Sequence, residues 1–265
     1  MGAVMGVVMG GRMARGFFGG LLLAACAVAM AAEAVPPAGY AVVSLIGDKL
    51  SVVTHEAGTG TTIERNRTQA LPVSGGVFDA DAMTQAEAAL KRLDAGARVS
   101  LYDLSSPAMF EQQDRFLDGG RLKFSPAVVA AMRKDGATHL LLVTKQLATA
   151  RLQAGDHDSL GSGQLEGLGF YIDRAVGMIN PDTGETGRGF FAPYFFARVS
   201  LIDLASLEVV KETRIKANFS RASTGVAQSP DAWDALTPKG KIDALKALID
   251  EQVPKAVEAL VAGLR

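Results

Sequence analysis

Cysteine is almost absent. Cys26 is the only one, so no intrachain disulfide can form. The same count excludes Cys₂- and Cys₄-type zinc sites. Charge of one sign is also lacking: 27 Lys and Arg stand against 28 Asp and Glu, a formal net charge of −1. There is no basic block, so nucleic acid is not an expected partner. The histidines are three, His55, His139 and His157. No apolar run reaches membrane length: residues 16–28 give about 13 where a bilayer needs about 20.

The flanks of that short run are informative. Arg12 and Arg15 precede it, and small residues, Ala29-Met30-Ala31-Ala32, follow it. Positive end, apolar centre and small-residue cleavage site are the order of a secretory signal peptide. Residues 1–31 are therefore expected to be a Sec signal, and the protein is expected in the periplasm. Ala29-Met30-Ala31 fits cleavage that releases a soluble chain from Ala32. Leu23-Ala24-Ala25-Cys26 fits the alternative, lipidation of Cys26 and anchoring to the outer or inner membrane. Membrane contact is expected only in that second case. Residues 32–265, roughly 230 in number, are expected to form one α/β domain, long enough to bury its own core.

Periodicity along this chain predicts its elements. Residues 40–46 and 49–55 read as strands, with Gly47-Asp48 as the turn of a hairpin. Residues 57–68 read as a polar loop or ragged strand. Asp79 or Asp81 is positioned to cap a helix over 82–95 that Gly96 ends. A strand follows at 99–104. Ser106-Pro107 starts a helix over 107–117, and Ser125-Pro126 one over 126–135. Residues 138–144 form a continuous apolar strand of the kind covered on both faces. Strands at 165–176 and 190–203 frame a long loop, and 197–203 turns through Leu204-Ala205-Ser206 into 207–215. An apolar stripe from Ile242 to Leu264 predicts a C-terminal helix over 239–264, kinked at Pro254. The fold class is α/β (α+β): a single mixed sheet packed with helices, with a hairpin protruding at about 165–203.

Two segments resemble a known envelope module. One is Gly136-Ala137-Thr138-His139-Leu140-Leu141-Leu142-Val143. The other is Ala197-Arg198-Val199-Ser200-Leu201-Ile202-Asp203-Leu204, followed by a turn and another strand. Their order resembles the domain shared by curli-secretion lipoproteins, the N-terminal domain of the Tol translocation protein and activator lipoproteins of penicillin-binding proteins. The resemblance spans about residues 40–217. It implies envelope binding or assembly rather than catalysis, and carries over no functional residue.

Chemistry-bearing motifs are few. His139 reads as a strand-edge histidine, and His55, ending a strand, as exposed. Asp156-His157-Asp158 is the densest group of metal-capable side chains but reads as a surface loop, as does Asn180-Pro181-Asp182-Thr183-Gly184-Glu185. Gly161-x-Gly163 and Gly167-x-Gly169 lack the strand-to-helix context of a nucleotide site. No cofactor and no catalytic residue is assigned. Were the protein a periplasmic enzyme, Glu166, Asp173 and Arg174 would be its parts; were it a small-ligand binding protein, a closed apolar pocket is expected. The concentrated feature is aromatic: Phe170, Tyr171, Phe190, Phe191, Tyr194, Phe195 and Phe196. Adjacent residues of a strand face opposite sides, so Phe170-Tyr171 and Phe190-Phe191 predict some aromatic surface outside. Phe170, Tyr171, Phe190, Phe191 and Tyr194 are thus the expected contact for another envelope protein or a second copy of this chain.

Overall fold

A computed structural model describes residues 38–56, 65–104, 106–154, 157–179, 184, 186–219, 221–222, 233 and 236–263. The expected signal segment with Cys26 lies outside the described residues, as do 57–64, Asp156, the His157 side chain, 180–183 and Glu185. In chain order the elements are β1 (Gly39–Leu45), β2 (Lys49–Glu56), β3 (Arg65–Pro72), α1 (Val77–Leu93), β4 (Arg98–Leu101) and α2 (Pro107–Gln112), which runs into a 3₁₀ turn. There follow β5 (Leu117–Asp118), β6 (Arg121–Leu122), α3 (Pro126–Lys134), β7 (His139–Lys145), β8 (Leu147–Thr149), β9 (Leu152–Ala154) and β10 (His157–Leu160). The chain ends with β11 (Gln164–Ile179), β12 (Thr186–Asp203), β13 (Val209–Asn218), β14 (Arg221–Ala222) and α4 (Pro238–Val261).

Ten strands form one mixed sheet in the order β3-β2-β11-β12-β7-β1-β4, with β8 on β11 and with β13 and β14 on β12. Strand β12 is its spine. Phe190–Phe196 pairs with β11, and Ala197–Asp203 pairs along the same edge with β7. The opposite edge pairs with β13. The sheet thus has two halves that share one long strand. The expected hairpin of β11 and β12 is present. Its tip, Gly177–Ile179 against Thr186–Arg188, pairs only with itself among the described residues. The expected β12–β13 hairpin is present too, its turn held by Asp203, whose carboxylate accepts from the Ala205 and Ser206 amides at 2.8 and 2.6 Å.

One expected hairpin is not. Strands β1 and β2 lie in different halves: β1 pairs in parallel with β4 and β7, while β2 pairs with β3 and β11. The reason is burial. Every residue of β1 is buried, which suits an interior parallel strand covered on both faces and not one arm of an isolated hairpin. Gly47 serves the crossing between halves, where a Cβ would stand 2.6 Å from Asp79 Oδ2.

Helix positions follow the local chemistry. Ser106 and Ser125 accept from the amides of Met109 and Val128, and a proline occupies the first turn of each helix, α2 and α3. Helix α1 starts five residues earlier than the expected 82, capped by Gly76 in the left-handed region, so Asp79 and Asp81 lie inside it. Helices α1 and α4 cover one face of the sheet. Their residues pack with Phe170, Ile172, Phe191, Phe195, Val199 and Leu201 in one core. The other face is covered twice. Segments around α3 and Phe116 pack on β1 and β7, and residues of β8–β10 pack on β11 and β12. No helix among the described residues is long and apolar enough to cross a membrane.

Candidate functional site

The parallel strands β1, β4 and β7 end side by side, with Val42 opposite Leu101 and Leu45 opposite Thr144. The carboxyl ends of parallel strands are where loops diverge and leave a crevice. Here the crevice is a cleft of about 660 Å³ between the β1–β2 crossing, the start of α1 and α2. Its apolar wall includes Val73, Met83 and Phe110, and its polar lining includes Asp48, Asp79, Asp103 and Glu111.

Asp79 forms the floor and is 3% exposed. Its Oδ1 accepts from Ser44 Oγ and the Ile46 amide, both at 2.7 Å, and its Oδ2 accepts from the Gly47 amide at 3.1 Å. Burial pushes the carboxyl above its ordinary value, the negative charge of Asp48 adds to this, and the three donors only partly oppose it. Lys145, at the end of β7, is 4% exposed and pairs with Asp48. Its ammonium lies 5.7 Å from the centre of the Phe110 ring, and its amide donates to Gln113 Oε1 at 2.8 Å. Asp79 therefore ties β1 to α1, and Lys145 ties β7 to the β1–β2 crossing and to α2. Both buried ionisable groups are occupied by the scaffold. Asp103 and Glu111 are exposed on the rim, beside the apolar wall.

The aromatic hairpin is buried, not exposed. Phe170, Tyr171, Phe190, Phe191, Tyr194, Phe195 and Phe196 are each no more than 1% exposed. Alternation does send neighbours to opposite faces, but both faces are roofed. Phe170 and Phe191 stack at 5.2 Å beneath α4 and Trp233. Tyr171 and Phe190 stack at 5.7 Å on the other side, beneath Leu152 and Leu160. The five side chains expected at a contact surface are core.

The other expected residues do not converge. Glu166 and Asp173 share strand β11, seven positions and about 23 Å apart at strand spacing. Asp173 is 2% exposed, and Arg174 is exposed. His55 is buried, not exposed, because Ser162 and Asn66 close over it. Its Nδ1 meets Ser162 Oγ at 2.9 Å and Asn66 Oδ1 at 3.2 Å. A serine activated by histidine needs the orienting group on the opposite ring nitrogen. Among the described residues both partners meet the same nitrogen, and the three side chains join β2, β3 and the approach to β11. Among the described residues, no three His, Cys, Asp or Glu side chains group as metal ligands. The cleft was not signalled by the sequence. Its parts sit at 47–48, 73–83 and 103–111, and only strand ends brought together by parallel pairing make them neighbours.

No protein-family profile matches the chain, and no curated protein matches it. Solved structures do align with it. One is a PelC dodecamer from Paraburkholderia phytofirmans, 13% identical, covering 83% of this chain and 90% of that one, with a TM-score of 0.26. Another is a DUF330 protein of Xanthomonas campestris, 11% identical, covering 86% of each chain, with a TM-score of 0.34. A third is a Helicobacter pylori homolog of the neuraminyllactose-binding hemagglutinin, 7% identical, covering 84% and 87%, with a TM-score of 0.33. At these scores the likeness carries no functional assignment. None of the three is one of the lipoprotein, Tol or activator proteins that the sequence resembles.

Proposed function

We propose that this chain is an exported, non-enzymatic protein of the bacterial cell envelope that works by binding another envelope component in the cleft at the ends of β1, β4 and β7. The observation that carries the reading is that the buried Asp79 of the cleft, and the Lys145 that pairs with the cleft's Asp48, are both engaged by the scaffold. Asp79 accepts three hydrogen bonds and Lys145 is paired with Asp48. A general acid or base needs a free position toward its substrate, whereas a binding cleft needs a rigid floor and an available rim. The exposed rim carboxylate of Glu111 beside Met83 and Phe110 favours a target that presents a cationic group on an apolar body. The order of charges and apolar residues in 1–31 supports the compartment.

Ala80 lines the cleft and is exposed. Ala80→Trp should fill the cleft with a stability change within about 0.5 kcal/mol. In native mass spectrometry of protein purified from the envelope, the wild type should carry a bound component that the variant has lost. Equal retention by both proteins, or a wild type that carries nothing, refutes the cleft as the binding site.

A further inference from the structure

Strand β13 has a second edge. Its inner edge pairs with β12 from Tyr194 to Ile202. The start of its outer edge is closed, since the Val209 amide donates to the Gly120 carbonyl and Glu208 bridges to Arg121. Beyond that point, no described strand pairs with the outer edge. Helix α4 runs beside it, held there by Lys211 Nζ, which donates to the Ala259 and Ala262 carbonyls at 2.9 Å. A groove of about 490 Å³ lies between strand and helix, walled by the consecutive residues Thr213, Arg214, Ile215 and Lys216. Consecutive residues point to both faces of a sheet, so it is the strand's edge that forms this wall. A second hollow of about 630 Å³ continues the groove through Ala217 and Asn218 and shares Lys216 and Gln252 with the first.

The groove is basic. Lys216 and Arg151 line it with no ion-pair partner among the described residues. Lys255 pairs with Glu251 at 2.6 Å, and Arg214 lies 3.6 Å from Glu212. Four cations thus flank an edge whose alternate residues turn both N–H and C=O outward.

We propose that this groove docks an extended acidic segment of a partner protein, added to β13 as a further antiparallel or parallel strand. A peptide satisfies outward donors and acceptors together, whereas an isolated phosphate uses donors only. Lysine on a sheet edge normally prevents pairing with a neutral strand or with a second copy of the same edge. The same charges admit a strand of opposite sign, which is how one edge can be both protected and selective. The groove shares no residue with the cleft, so either can fail alone.

The test uses the mature chain and a blocked ten-residue peptide alternating glutamate with threonine, with its lysine–threonine counterpart as control. Isothermal titration should show the glutamate peptide binding at least about tenfold tighter than the lysine peptide. The exposed substitutions Lys216→Glu and Lys255→Glu together should abolish that preference with a fall in Tm of only about 1–4 °C, from the lost Lys255–Glu251 pair and the like charges that replace it. Methylating alternate amides of the glutamate peptide should weaken it by a similar factor, which a purely ionic contact would not show. Ala80→Trp should leave all of this unchanged. Equal binding of the two peptides, full binding of the methylated peptide, or no binding overturns the proposal. So does binding that emerges only after residues 223–232 are replaced by a glycine–serine linker, because the chain's own segment would then be the occupant.

Discussion

Phe191→Ala measures whether the hairpin aromatics hold the fold or present a surface. Phe191 is fully buried, stacks on Phe170 with planes 16° apart and meets Trp233 edge-on at 6.0 Å. Its neighbours come from β11, β12 and α4, elements joined at several other points, so collapse around the missing ring should be incomplete. Truncating a phenylalanine in such a site costs about 3–5 kcal/mol. Each kcal/mol lowers Tm by about 2–4 °C in a chain of this size, so a fall of about 6–20 °C is expected. Trp233 is the only tryptophan, and its emission reports unfolding in urea from within the affected cluster. Phe191→Leu should recover most of the loss. A cycle with Phe170→Ala should give a coupling of about 0.5–1.5 kcal/mol. A loss below about 1 kcal/mol for Phe191→Ala, with a partner interaction abolished, would refute the burial argument and return the hairpin to the surface.

Three further outcomes are expected. Asp79 has a folded-state value raised by burial, so its stabilising contribution is complete at acid pH and is lost as pH rises through that value. The stability of the wild type relative to Asp79→Asn, followed by urea titration, should therefore decline from the ordinary carboxylate value of 3.8 upward, and a flat or rising difference contradicts this. Gly169→Ala would place a Cβ 2.0 Å from the Ser51 carbonyl oxygen, in the parallel pairing of β2 and β11, and should cost about 3 kcal/mol in thermal unfolding. Asp48→Ala should destabilise by about 3–5 kcal/mol because it strands an ammonium that is 4% exposed. Lys145→Met should cost only about 1–2 kcal/mol, since the carboxylate it leaves is 26% exposed and open to water. Equal losses for the two would mean that the pair is solvated.

Much of the local structure was legible in the residues. Ser-Pro pairs marked α2 and α3, the continuous apolar run marked β7, and the apolar stripe marked α4. These signals act within a few residues of their cause. Pairing was less legible, because it depends on what covers each face. Gly47-Asp48 has the chemistry of a tight turn, but β1 is buried on both sides and leaves β2 for the other half of the sheet. The aromatic hairpin failed for the same reason: alternation fixes which side a ring faces but not whether α4 or Leu152 waits there. Asp79 reads as a helix cap from its neighbours. Its work is done on Ser44, Ile46 and Gly47, more than thirty residues earlier in the chain.

Export is the claim on which the functional reading stands. The direct measurement is the intact mass of the protein as isolated from fractionated cells. A soluble periplasmic form beginning at or near Ala32 is the predicted result. An acylated form beginning at Cys26 would keep the protein in the envelope but tether its cleft and groove near a membrane. A cytosolic form that retains residues 1–31 would contradict the account.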